Sequence, residues 1–306
     1  MKNKLLLVIG IILLSNASLH AQEKETQAAA LALKNAEIKA STNGWKRSGI
    51  ATLTFGQTSL TNWVSGGDNT ISGNIILNGT ANYRKDNWFW DNNLSAEFGL
   101  MRSSSTTPNV KKATDRLNLN VVGGIRYSEK FAVSGLINFS SQFAKGYDYS
   151  NYIDNEHYNS TLMTPGYLDV AIGITYKPNS NYNFFISPLA ERAIFVLNDS
   201  LSSIGSFGVD PGKNIDLASG AYLMANTNQK LLKTDNQDLS LISTLYMFTP
   251  YNQNFGIVDA TLNILLTYKL NKAFTTSLNT TFRYYRAEID KIQVKELFGL
   301  GISYQF

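Results

Sequence analysis

Residues 71–84 read ISGNIILNGTANYR. Taken alternately, Ile71, Gly73, Ile75, Leu77, Gly79, Ala81 and Tyr83 fall on one face, and Ser72, Asn74, Ile76, Asn78, Thr80, Asn82 and Arg84 on the other. A period of two is the signature of a β-strand, whose successive side chains point to opposite faces. Here one face is greasy and the other amide-rich over a run much longer than the usual globular strand of about five or six residues. A tilted strand crossing a bilayer needs about 9 to 11.

The design recurs. In RLNLNVVGGIRY (116–127), Leu117, Leu119, Val121, Ile125 and Tyr127 oppose Arg116, Asn118, Asn120 and Arg126. In VDATLNILLTYKL (258–270), Val258, Leu262, Ile264, Leu266 and Tyr268 oppose Asp259, Thr261, Asn263 and Lys269. Reading onward in this way predicts about twelve strands, with ten to fourteen admissible: 49–58, 70–83, 88–101, 115–127, 131–143, 166–177, 182–196, 216–230, 238–249, 257–270, 273–287 and 294–306. The seventh is the least regular. Pro188 interrupts it and Arg192 falls among its outward residues, so a bulge or a change of register is expected there. Alternate connections are short and the intervening ones mostly long (59–69, 102–114, 144–165, 197–215), as in a transmembrane barrel with tight periplasmic turns and large outer loops. Aromatic residues gather near strand ends, among them Tyr83, Trp88, Trp90, Tyr127, Phe131 and Tyr176, as interfacial girdles require. A soluble closed barrel would place its polar face outside and its apolar face inside. The fold class is therefore all-β: a single antiparallel transmembrane barrel over residues 48–306, with outer-membrane lipid as its first partner.

Composition bounds the rest. Charged residues are 16% of the chain, below the usual soluble share of about 25%. There is no cysteine, which removes disulfides and thiolate metal sites. The start, MKNKLLLVIGIILLSNASLHA (1–21), has a basic n-region, an apolar core and small residues before a cleavage point, the pattern of a secretory signal peptide. Its removal takes Lys2 and Lys4 from a chain of formal charge +4, so the basic balance implies no nucleic acid partner. Residues 22–47 read as a periplasmic leader, a short alanine-rich helix or a disordered segment. The end, GLGISYQF (299–306), alternates again and would close the barrel against the first strand, because an open edge is not tolerated in lipid.

Candidate functional residues fall in two places. Inward charges at Glu97, Arg116, Asp259 and Arg283 would line the lumen, with Glu97 and Arg116 placed to pair on adjacent strands, while inward Ile76, Val122, Leu136 and Leu265 would fill part of it. Tyr147, Tyr149, Tyr152 and Asp154 in the loop 144–165 form a candidate surface for a sugar or calcium, although no calcium-loop spacing is present. Lys111 and Lys112 read as solvated loop residues. His157 is the sole histidine beyond the signal segment and sits in a polar loop, so a histidine-based hydrolase is not expected. Nothing points to a cofactor or a metal. Three functions follow from this reading: a narrow channel for small polar solutes, a non-conducting barrel that displays its loops, and, least supported, a lipase or protease.

The phrases NWVSGGDN (62–69), DNWFWDNNLSAEFGL (86–100), FSSQFAKGYDY (139–149), TPGYLDVAIGITYKP (164–178) and ISPLAERAIFVLNDSL (186–201) resemble the DUF3078 family of Bacteroidetes proteins, from about residue 55 to the end. The resemblance implies an outer-membrane barrel and no known reaction or ligand. The terminal aromatic Phe306 after alternating apolar residues likewise resembles the signal that the barrel-assembly machinery reads.

Overall fold

The computed structural model describes residues 43–59, 69–104, 108–149, 152–154, 157–234, 238–251, 258–269, 274–285 and 289–305. The signal-peptide reading of 1–21, the leader as far as residue 42, Trp63 and Phe306 lie outside these residues.

Twelve antiparallel strands close into one barrel. They are β1 (Gly44–Thr58), β2 (Thr70–Lys85), β3 (Trp88–Ser103), β4 (Val110–Arg126), β5 (Phe131–Ser141) and β6 (Gly166–Asn179), then β7 (Tyr182–Phe195), β8 (Ile215–Lys233), β9 (Asp238–Pro250), β10 (Asp259–Lys269), β11 (Phe274–Tyr285) and β12 (Ile289–Gln305). Each pairs with its neighbours in sequence, and β12 pairs with β1 over Ile302–Gln305 against Ile50–Leu53, which is the closure expected of the terminal stretch.

The burial pattern is that of a globular protein turned inside out. On β2, Ile71, Ile75 and Leu77 are about half exposed, while Asn74, Asn78 and Asn82 are almost wholly buried. The same outward belt continues through Leu94, Val133, Ile137, Ile172, Ile186 and Leu217. An exposed apolar surface of this extent requires an apolar solvent, and every strand in it has its backbone groups paired to a neighbour, as lipid demands. The belt is the lipid-facing wall of a membrane-spanning barrel.

Aromatic rings rim its short-turn end. Tyr127, Phe131, Tyr176 and Phe184 form a chain of stacked rings with centroids 6.0, 4.6 and 6.2 Å apart. Trp90 packs on Gly123, where an added Cβ would come within 2.3 Å of the ring, so only glycine admits that packing.

Three strands start several residues earlier than the sequence reading has them: β1 at Gly44 rather than 49, β4 at Val110 rather than 115 and β12 at Ile289 rather than 294. β1 starts at Gly44 rather than after the leader's expected end at 47, because Trp45 pairs with Tyr83 on β2 at 5.3 Å and Arg47 sits 6.0 Å over the Trp45 ring, extending the girdle by a turn of ladder. β4 starts at Val110, so Lys111 and Lys112 are strand residues.

The decisive irregularity is in β7. The ladders on both sides of it shift register near Pro188: toward β8, Ser187 pairs with Tyr222 and the next partnered residue is Ala190, and toward β6, Ile186 pairs with Ile174 and the next partnered residue is Leu189. Pro188 and Leu189 both turn outward, so inward residues switch from Asn183, Phe185 and Ser187 to Ala190, Arg192 and Ile194. A bulge that adds one residue reverses every side chain beyond it. Ser187 secures the bulge: its Oγ lies 2.7 Å from the Ile172 carbonyl and accepts the Leu189 N–H at 3.1 Å. Arg192, expected outward, therefore points into the lumen. Glu191, which the simple alternation places inward, points outward and accepts a 2.6 Å hydrogen bond from Ser219.

A candidate binding lumen and its outer loops

The barrel encloses a cavity of about 380 Å³. Its middle is lined by amides and hydroxyls, such as Asn118, Asn120, Asn138, Asn226, Asn263 and Thr244, which the inward positions of β4, β5, β8, β9 and β10 deliver by simple alternation. One wall is filled by an apolar cluster of Leu136, Phe185, Tyr222, Met224 and Phe248 with Val122 packed on it. Ile76 and Leu265 are also buried inside, as the sequence implied. The bore is thus narrowed from one side and polar on the other.

Charged groups occupy the two ends. At the short-turn end Arg84 pairs with Asp91 at 2.6 Å, and Arg84 and Lys177 both lie 5.7 Å from the Phe89 ring. At the long-loop end the expected residues are found in three arrangements. Glu97 faces Arg116 across the β3–β4 ladder, with 3.7 Å between their charged atoms; Glu97 is buried in the wall while Arg116 reaches the cavity. Arg283 lines the cavity 4.0 Å over Tyr285. Asp259 belongs to a third group built around Arg192.

That group was not foreseen. Arg192 Nε donates to Asp169 Oδ1 at 2.7 Å on the adjacent strand β6, and Nη1 donates to Asp259 Oδ2 at 3.2 Å on β10. β7 and β10 are separated by β8 and β9, so the second bond runs as a chord across the bore. The guanidinium also lies 4.3 Å over Phe248 and 5.8 Å from Tyr285. A planar fork that serves two carboxylates and two aromatic faces is a task for arginine rather than lysine. The signal in the sequence was Pro188: moving the parity by one residue there turns an implausible lipid-facing arginine into a lumen residue.

The loop residues are brought together at the outer surface. Tyr147 packs against Tyr149 and Tyr152 with centroids 6.0 and 5.8 Å apart. Partial burial, then Tyr147 and the charge of Asp154, push the Tyr152 hydroxyl above its ordinary value. Asp154 accepts from His157 at 2.8 Å, and both side chains are exposed.

Lys111 and Lys112 are engaged. Lys111 lies 5.5 Å over the Tyr149 ring. Lys112 Nζ donates to Asp115 at 2.9 Å, and the Asp115 carboxylate also accepts the Phe143 and Ala144 N–H groups at 2.7 and 2.8 Å. This anchor ties the loop 142–165 to β4. Asn198, which caps the short helix α1 (Asp199–Ser203), donates to the Tyr158 hydroxyl at 2.8 Å, and Val196, Leu201 and Val209 form a small core beneath Tyr158 and Phe207. The described residues of these two loops therefore pack as one unit.

Replacing Asp115 by alanine removes the acceptor of two backbone N–H groups and one ammonium. Tryptic cleavage at Lys145 in the folded barrel is expected to rise by about tenfold or more, given the strength of charge-assisted bonds. Unchanged cleavage would show that the loop is held by other contacts.

Among solved structures, the chain is similar to the COG4313 outer membrane channel from Pseudomonas putida F1, with 13% identity, 88% of this chain and 97% of that one covered, and a TM-score of 0.41. It is also similar to the translocator domain of the autotransporter NalP from Neisseria meningitidis, at 12% identity, 92% and 94% coverage and a TM-score of 0.40. The NanC porin is a third, at 7% identity, 83% and 98% coverage and a TM-score of 0.36. No curated protein matches the chain. Residues 55–147, from the outer end of β1 to the start of the tyrosine loop, match the family described as a protein of unknown function, DUF3078; of the phrases that carry the resemblance, 62–69 and 86–100 fall within this stretch, 139–149 runs past its end, and 164–178 and 186–201 lie beyond it.

Proposed function

We propose that the protein resides in a bacterial outer membrane and passes small polar solutes through a narrow lumen. The observation that carries this reading is the cavity of about 380 Å³, lined in its middle by amides and hydroxyls and bounded by charged groups at both ends. A barrel that served only as a scaffold has no need of so polar an interior, since burying polar groups costs free energy. Selectivity then arises at the outer charged zone, where Arg116, Arg283 and the Arg192 group act at short range in a low dielectric. No catalysis is assigned: His157 and Asp154 form an exposed pair away from the cavity. Delivery to the membrane through recognition of the terminal strand by the barrel-assembly machinery belongs to the same proposal.

The test is single-channel recording of the refolded protein in a planar bilayer with symmetric salt. Discrete steps are expected, and Glu97→Ala and Arg283→Ala should alter their size or ion preference. A second reading, a non-conducting barrel that presents its loops to a partner, is favoured by the packing of the described residues of loops 142–165 and 196–214 on one another. Silence from a correctly folded barrel would select it over the channel.

A further inference from the structure

The lumen carries hydrogen-bonding groups that the barrel itself leaves unused. Tyr222 on β8 and Ser95 on β3 are 2% and 3% exposed, line the cavity, and have hydroxyls without a partner among the described residues. The Asn120 side-chain N–H group on β4 and the Asn183 side-chain carbonyl on β7 line the same cavity and are also unmatched there. Unsatisfied buried polar atoms are costly, and each calls for an explanation.

Their polarity identifies what would satisfy them. The Asn120 nitrogen only donates, the Asn183 oxygen only accepts, and the two hydroxyls do either. An anion offers acceptors alone and an ammonium donors alone. A hydroxyl offers both from one oxygen, so a molecule with several hydroxyls matches the whole set. Several of the formal charges nearby are already engaged: Arg192 with Asp169 and Asp259, Arg84 with Asp91, and Arg116 with Glu97. Aromatic rings complete the lining: Tyr222 meets Phe185 edge to face at 6.3 Å, and Tyr167 and Tyr246 border the same space. A volume of about 380 Å³ lies near the lower end of small-molecule sites and suits one sugar ring rather than a chain of them.

We propose that this chamber is a binding site for a neutral polyhydroxylated solute of monosaccharide size. The inference rests on the channel reading above and narrows it to a class of solute.

The experiment compares glucose, gluconate and glucosamine, which share a carbon skeleton but are neutral, anionic and cationic. Proteoliposomes holding the full chain should swell several-fold faster with glucose than with either charged analogue. The double variant Tyr222→Phe with Ser95→Ala deletes two unmatched hydroxyls, so the barrel should be no less stable. Glucose entry should nevertheless slow by about three- to tenfold, the range expected for losing neutral hydrogen bonds. Equal rates for all three solutes would overturn the inference and leave the channel standing. If no solute enters and no current steps occur, the channel reading fails, and saturation-transfer NMR on the detergent-folded barrel decides the remainder. Transfer to glucose that the double variant abolishes would retain the binding site, and no transfer would mean that water alone fills the chamber.

Discussion

Arg192→Ala is expected to destabilise the barrel by about 3 kcal/mol and to shift its conductance toward cations. The stability loss comes from two carboxylates left without their cation in a confined interior. Removing one partner of a buried ion pair costs about 3–5 kcal/mol, and the lower end applies because the Asp259 side chain is 25% exposed to the bore. The selectivity change follows from charge: Asp169 and Asp259 remain at the outer mouth with nothing between them. The chord across the lumen also disappears, so unitary conductance should rise. Denaturant unfolding of the lipid-folded barrel reads the first effect and the reversal potential in a salt gradient reads the second. Adding Asp169→Asn and Asp259→Asn should restore part of the stability. An Arg192→Ala barrel within about 0.5 kcal/mol of the parent would mean that the cluster is solvated and contributes as little as a surface pair.

A still larger effect is expected from deleting Leu189. The deletion removes the extra residue of the bulge, so Ala190–Phe195 must either slip or reverse. If they reverse, Arg192 faces lipid, at a cost of about 2–4 kcal/mol near the midplane and less near the interface, and its ion pairs are lost as well. Together these approach a large share of the 5–15 kcal/mol that commonly separates folded from unfolded chains. The deletion variant should therefore fail to give the compact, heat-modifiable species on a cold denaturing gel. Leu189→Ala keeps the chain length and should still give it. Wild-type folding yield from the deletion variant would contradict the assigned parity of β7.

These two experiments concern the strand where the sequence was hardest to read. Alternation was sufficient for β2, where Ile71, Ile75 and Leu77 face lipid and Asn74, Asn78 and Asn82 face inward as the period requires. It was sufficient because nothing in that strand breaks the pleat. In β7 the break was visible as Pro188, but its consequence depends on how many residues the bulge absorbs, and that is settled by Ser187 bonding to Ile172 on the neighbouring strand. A contact between strands leaves no trace in the local pattern. The same holds at the outer end of β4. Lys112 and Asp115 look like ordinary exposed charges until a loop some thirty residues further along folds back and places two N–H groups on the carboxylate. Glu97 and Arg116 were legible as a pair because a ladder between consecutive strands fixes their register. Arg192 and Asp259 were not, because they meet across the bore.

The closing ladder has a consequence for the order of assembly. Eleven of the twelve ladders join strands that follow one another in the chain, so each can zip from its connecting turn or loop. Only β1 with β12 joins distant parts of the chain, and among the described residues it does so over four rows, Ile50–Leu53 with Ile302–Gln305. Loop-closure entropy must be met before such a ladder gives any return, and non-local pairings of this kind are intrinsically slow. The barrel should therefore exist first as an almost complete curved sheet with two free edges. Its finished state then waits on a single encounter between residues 50–53 and 302–305, and the rate of that encounter, more than the strength of any one strand pair, sets how long the edges stay open to other chains.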